Sequence, residues 1–187
     1  MAPETVTAET LLLTYEDYCQ LPDDGKRYEL IEGEVHMIAA PTTAHQRISF
    51  NLTIAIGTYV RENSLGSLFA APTDVVLSRW DVVQPDLLFV SKDREALITE
   101  THIDGAPDLI IEILSPSTAS LDQLVKRQLY ARHGVRELWL VSPEANTIEV
   151  LELHKRAYRR RTLAGRGDTV TSSVLEGLEL ALDEVFA

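Results

Sequence analysis

One acidic residue sits inside an otherwise apolar run, Asp108-Leu-Ile-Ile-Glu-Ile-Leu114, and it is where chemistry would reside in this sequence. An unpaired carboxylate there costs several kcal/mol or is neutralised by a pKa shift, unless a metal ion or a cationic side chain compensates it. Glu112 is therefore a candidate ligand, and a structural salt bridge is its competing role. Asp108 shares its strand face but lies about 13 Å away at strand rise, too far for one ion, so it reads as a strand-entry residue. A better mate is Asp86 in Val83-Gln-Pro-Asp-Leu-Leu-Phe-Val90, where Pro85 marks a strand start. If the two runs pair, a strand spacing of about 4.8 Å brings Asp86 and Glu112 to one cation. Lys126 lies on the helix predicted next, with Asp122 and Tyr130 one turn to either side. A lysine beside a metal-bound phosphate orients the attacking water or stabilises developing charge. Taken alone, it would read as a solvated lysine paired with Asp122. Glu29 reads as an exposed strand position and His45 as a structural histidine that could face inward.

The elements that must position these residues follow from pattern. Thr14 and Asp17 predict a short helix after a loose tail over residues 1–13. Arg27–Ile38, with Glu32-Gly33 at its middle, predicts a hairpin. Thr43 and Gln46 predict a capping box, with Ile48, Leu52, Ile56 and Tyr59/Val60 at helical spacing behind it. Ser67–Leu77, Val82–Val90 and Asp108–Leu114 read as three strands. The last is apolar on both faces, as in a strand covered on both sides. Ser120 and Gln123 predict a second capped helix that closes at Gly134. Glu137–Val141, Thr147–Leu153 and Ala157–Leu163 predict a meander, and the tail from Leu175 predicts an edge strand or short helix. The order implies a mixed central β-sheet flanked by helices, in one domain spanning 1–187.

Composition narrows the function. The chain has 187 residues, 45% of them hydrophobic, and one cysteine, Cys19, which cannot form an internal disulfide. No signal peptide or membrane-spanning run is present, so the expectation is a cytoplasmic protein that does not enter membranes. A net charge of −12 argues against broad phosphate binding. One basic group stands out, Lys155, Arg156, Arg159, Arg160, Arg161 and Arg166, which reads equally well as a hairpin with charged edges. There is no zinc-type Cys/His cluster, glycine-rich phosphate loop or nucleophile elbow.

Several segments recur together in one family: Tyr28-Glu-Leu-Ile-Glu-Gly-Glu34, His45-Gln-Arg-Ile48, Ala71-Pro-Thr-Asp-Val75, Gln84-Pro-Asp86, Gly105-Ala-Pro-Asp-Leu109, Glu112-Ile-Leu-Ser-Pro-Ser-Thr118, Lys126-Arg-Gln-Leu-Tyr130 and Glu137–Pro143. From about Leu12 onward the chain resembles the Uma-two-type restriction endonuclease family of the PD-(D/E)XK superfamily. The resemblance implies an α/β (α+β) fold with a restriction-endonuclease-like core and a Mg²⁺-dependent endonuclease acting on DNA, with Mn²⁺ as an alternative ion. A homodimer would suit cleavage of both strands. Asp86 and Glu112 would be the motif carboxylates, holding the ion with the backbone carbonyl of Ile113 and waters. The superfamily's lysine position is Leu114 here, so Lys126 would supply that charge from the following helix. No carboxylate opens the Thr43–Asn63 helix, and His45, Gln46 or Glu29 would stand in, with Tyr130 beside Lys126. The rival reading is a non-catalytic interaction module that retains the fold.

Overall fold

The computed structural model describes residues 12–115 and 121–187. In chain order its elements are α1 (Tyr15–Tyr18), β1 (Arg27–Ile31), β2 (Glu34–Ile38), α2 (Thr43–Glu62), β3 (Gly66–Ala70), β4 (Val75–Ser78), β5 (Asp81–Val83) and β6 (Leu87–Ser91). A 3₁₀ turn over Lys92–Leu97 leads into β7 (Ile103–Asp104) and β8 (Leu109–Ile113). Then come α3 (Leu121–His133), β9 (Glu137–Ser142), β10 (Thr147–His154), β11 (Ala157–Gly165), β12 (Thr169–Thr171), β13 (Glu179–Ala181) and α4 (Leu182–Val185). The fold is mixed α+β.

Two larger sheets carry it. One has six strands in the order β11-β10-β9-β8-β6-β3, and the other five in the order β2-β1-β5-β4-β7. Within the six-stranded sheet β8 and β9 run parallel, while β6 pairs antiparallel with β8. The period-two alternation of strands splits the core into two apolar layers. Leu87, Phe89, Leu109, Ile111, Ile113, Trp139 and Val141 face α2 and the C-terminal segment. Leu88, Val90, Ile110, Leu138 and Leu140 face α3 and, through Ile31, Val75 and Val83, the five-stranded sheet. Residue 112 falls on this second side. The functional candidates therefore belong to the layer between the sheets.

Several predicted elements stand as read. The Thr14–Asp17 capping box opens α1. The β1–β2 hairpin turns through Glu32 and Gly33, both at positive φ (52° and 81°), as a two-residue turn of the primed type requires. Gly33 is also needed for space, since a Cβ there would lie 2.8 Å from Cβ of Leu12.

Four readings change. The predicted Ser67–Leu77 strand is two strands, β3 and β4, in different sheets, and Val82–Val90 is likewise β5 and β6. Pro72 and Pro85 sit at the breaks. With no N–H to give a ladder, they let the chain leave one sheet and enter the other. The cap of α2 is Thr42 rather than Thr43, its side chain accepting from the His45 N–H at 3.2 Å. Adjacent threonines look alike in sequence, and the extended backbone of Thr42 selects it. The C-terminal segment does more than edge a sheet: β13 pairs with β12, and Leu180, Leu182, Val185 and Phe186 close the layer over α2. The Ser120–Gln123 cap and the tail over residues 1–11 lie outside the described residues or side chains.

Asp108 goes beyond strand entry. Its fully buried carboxylate accepts from Arg94 Nη1 and Arg136 Nη1, each at 2.8 Å, and from the Ser91 N–H at 2.8 Å. It ties the 3₁₀ turn and the start of β9 to the β6–β8 pair. Asp108→Asn should weaken the charge-assisted bonds from both guanidinium groups and destabilise the protein by roughly 1.5–3 kcal/mol. Urea denaturation of the two proteins reads this, and metal affinity should not change.

Candidate active site

Four side chains from three elements meet in the layer between the sheets. Glu112 comes from β8, Glu29 from β1, and Lys126 and Tyr130 from successive turns of α3. Lys126 Nζ donates to Glu29 Oε1 at 2.7 Å and to Glu112 Oε1 at 3.3 Å. The Tyr130 hydroxyl donates to the same Glu112 oxygen at 2.5 Å. The spacing of Lys126 and Tyr130 explains why both reach one carboxylate: residues four apart share a helix face. Side-chain exposures of 19%, 5% and 14% for Lys126, Glu29 and Glu112 make this a desolvated ion cluster.

The environment shifts Glu112, Lys126 and Tyr130 in definite directions. Burial pushes the Glu112 carboxyl up to about 7; Lys126 and Tyr130 oppose this, and the nearby charges of Asp86 and Glu29 reinforce it. Burial pulls the Lys126 ammonium down, but Glu112 and Glu29 outweigh it, so the ammonium is raised and stays charged. Burial, with Glu112 and Glu29 beside it, raises Tyr130 well above its ordinary value, keeping the phenol a donor.

Asp86 stands across the strand pair. The register runs Leu87 opposite Ile111 and Leu88 opposite Ile110, so its next step sets Asp86 against Glu112. Asp86 Oδ2 accepts from the Ile113 N–H at 2.8 Å and lies 3.1 Å from His45 Nε2. The first bond fixes the Asp86 carboxylate against the Glu112–Ile113 peptide. The second anchors α2 to the site. His45 Nδ1 is buried and has no hydrogen-bond partner among the described residues.

The family comparison decides what this arrangement belongs to. A family model described as "Uma2: Putative restriction endonuclease" matches residues 15–183. The chain belongs to this family. Among similar proteins, an uncharacterized protein of Synechocystis sp., sll1609, is 25% identical over 126 residues, covering 67% of this chain and 71% of that protein. A crystal structure from Anabaena variabilis, titled as a putative nuclease belonging to DUF820, matches with a TM-score of 0.76 at 23% identity. It covers 93% of this chain and 97% of its own, and shows the shared fold. Membership of the PD-(D/E)XK superfamily is consistent with the Uma2 family. Among the described residues no helix is long and apolar enough to cross a membrane.

Within this Uma2 chain the donor set discriminates between ions. Glu29, Asp86 and Glu112 carry three carboxylates against the single ammonium of Lys126, and Glu112 is raised first by its burial and then by the charges of Asp86 and Glu29. Among the described residues no group of three His, Cys, Asp or Glu side chains is arranged to hold a metal. The carboxylates of Asp86 and Glu112, which line one cavity, are oxygen donors of the kind a hard cation takes while keeping much of its water, as Mg²⁺ does. They do not fit a zinc-type site with three or four side-chain ligands.

The structure corrects the reading of Glu29, which is 4% exposed rather than a solvent-facing strand residue. Glu29 and Ile31 share a strand face, and Ile31 packs in the layer between the sheets. Lys126 turns to Glu29 and Glu112, and the Asp122 side chain expected beside it lies outside the described side chains. Gln46 stays exposed on α2 and does not join the cluster. The basic group is a hairpin edge on β10–β11, with Arg160 and Arg161 paired to Glu149 and Glu152. The sequence reading missed Gln84, whose N–H donates to Glu29 Oε1 at 2.9 Å and whose side chain links Arg27, Asp74 and Tyr18. Its place one residue before Pro85-Asp86 was the available signal.

A pH test follows from Glu112. Its folded pKa of about 7 exceeds the ordinary 4.5, so its contribution is fully present below pH 4.5 and is lost as pH rises through 7. Glu112→Gln should therefore raise the melting temperature of metal-free protein at pH 8 and change it little at pH 4.5. The gain should be at most about 3 kcal/mol. A large loss of stability at pH 8 would instead make Glu112 a structural ion-pair residue.

Proposed function

We propose that this protein is a Mg²⁺-dependent phosphodiesterase that hydrolyses DNA, with Mn²⁺ able to replace Mg²⁺. The observation that carries the reading is the placement of Asp86, Glu112 and Lys126, from two paired strands and the following helix, around one mostly buried cavity. Family membership supports the same class of chemistry.

In this reading Asp86 and Glu112 hold the ion, with the backbone carbonyl of Ile113. The ion, when bound, polarises the scissile phosphate and lowers the pKa of a water. The chain's own residues do the rest. Glu29 grips the Lys126 ammonium at 2.7 Å and fixes it beside Glu112, where it can orient the attacking water or meet charge developing on the phosphate. Glu29 thus acts through Lys126 and is a positioning residue. Tyr130 occupies one lone pair of Glu112 Oε1 and so restricts which oxygen faces the ion. His45 orients Asp86 from α2. Lys126 takes the part that a lysine at position 114 plays elsewhere in the superfamily, reaching Glu112 from α3.

The test is nicking of supercoiled plasmid with Mg²⁺ or Mn²⁺, beside calorimetric titration of each ion. Asp86→Asn and Glu112→Gln should lose both ion binding and nicking. Lys126→Ala should keep ion binding yet nick about a hundredfold more slowly, the scale of losing one charge-stabilising donor. It should also lower stability at pH 8, since Glu29 and Glu112 then face each other uncompensated. Lys126→Arg should rescue poorly, because a planar guanidinium does not replace a compact ammonium. Wild-type protein that binds the ion normally and nicks nothing would favour the non-catalytic module.

A further inference from the structure

Resting on the phosphodiesterase reading, we infer that the strand cut at this site is unpaired: the cavity over Asp86, Glu112 and Lys126 takes a short single-stranded DNA segment and not an intact duplex. The cavity is about 520 Å³ and holds Glu29, Asp86, Glu112 and Lys126 among its lining. That volume is the size of a small-ligand pocket, roughly 300–1,000 Å³, and not of a groove that receives a rod. The reacting carboxylates are recessed, with Glu112 and Asp86 side chains 14% and 16% exposed. A stiff duplex carries its phosphates along a convex backbone and cannot lower one of them into a recess without unstacking its neighbours. An unpaired strand can.

The rim agrees with this. Met37 and Val125 are 63% and 39% exposed on large apolar side chains, and both line the cavity, with Ile38, Ala39, Pro41 and Leu114 continuing the apolar wall. Faces of unstacked bases match such a wall, and phosphates do not. Charge points the same way. Besides Lys126, only Arg27 and Arg127 among the lining residues carry fixed positive charge, and Arg27 commits its Nε to Gln84. Duplex binding draws its affinity from many phosphate contacts, and on a chain of net charge −12 the cavity lining offers few cations to make them. Two arginines at a pocket rim suffice for the phosphates flanking one scissile bond.

The experiment uses full-length protein with Mn²⁺ and four substrates: a single-stranded DNA oligonucleotide, its blunt duplex, the same sequence as single-stranded RNA, and bis(p-nitrophenyl) phosphate. Binding is read separately by fluorescence anisotropy with Lys126→Ala in Mg²⁺, which keeps the ion site but slows cleavage. The expected result is single-stranded DNA cleaved and bound at least tenfold better than the duplex, with a shallow salt dependence. Met37→Asp and Val125→Asp should lower single-strand binding at least tenfold without changing the melting temperature or ion affinity. Equal or better handling of the duplex, or preferential cleavage of RNA, overturns the inference and leaves the phosphodiesterase reading standing. So does hydrolysis of the activated diester with no binding of either DNA. Failure to hydrolyse the diester and every nucleic acid, with the ion bound, overturns both.

Discussion

The structure around the site depends on one constraint: a carboxylate inside a buried strand must be compensated. Glu112 lies in β8 between apolar neighbours, and Lys126 from α3 compensates only part of its charge because Glu29 shares the same ammonium. Asp86 adds a third negative charge across the strand pair. A fold built for stability alone would place an apolar residue at 112, since a buried ion pair seldom outperforms good packing. Keeping three acids around one lysine is costly without a further cation and makes sense with one.

The architecture delivers that cluster through simple periodicities. Alternation along β8 sends Ile111 and Ile113 to the α2 layer and Glu112 to the layer between the sheets. Alternation along β1 does the same for Glu29 beside Ile31. The helical repeat lines Lys126 up with Tyr130, and antiparallel register sets Asp86 against Glu112. A one-residue slip of β8 would turn Glu112 to the other face and dissolve the site. The buried Asp108, held by Arg94 and Arg136 at the far end of the same strand, guards against that slip. The two acids of one strand thus have opposite assignments. Asp108 is saturated with donors and Glu112 is short of them.

Much of this was legible in the sequence, for physical reasons that mark its limits. An acid in an apolar run and a Pro-Asp strand start are local signals, so Glu112 and Asp86 could be singled out, and helix spacing exposed Lys126 and Tyr130. The proline breaks at Pro72 and Pro85 were also visible, but which sheet each half joins depends on partners distant in sequence. Glu29 was misread for the same reason. On a hairpin strand it looks like a solvent-facing residue, and only the packing of the five-stranded sheet against α3 buries it. Gln84 escaped because the partners of its N–H and its side chain, Glu29, Arg27, Tyr18 and Asp74, are all separated from it in sequence.

In the phosphodiesterase reading the Asp86–Glu112 pair is a cation site completed by water and the Ile113 carbonyl, with Lys126 held beside it by Glu29. The most direct test is a crystal of the protein soaked in Mn²⁺ and measured at the manganese absorption edge. The account predicts one strong anomalous peak between the carboxylates of Asp86 and Glu112, at about 2.1–2.2 Å from an oxygen of each, as hard octahedral cations require. It also predicts Lys126 still on Glu29 and the same peak absent in Glu112→Gln crystals. A peak elsewhere, or none at a Mn²⁺ concentration that supports cleavage, would contradict it.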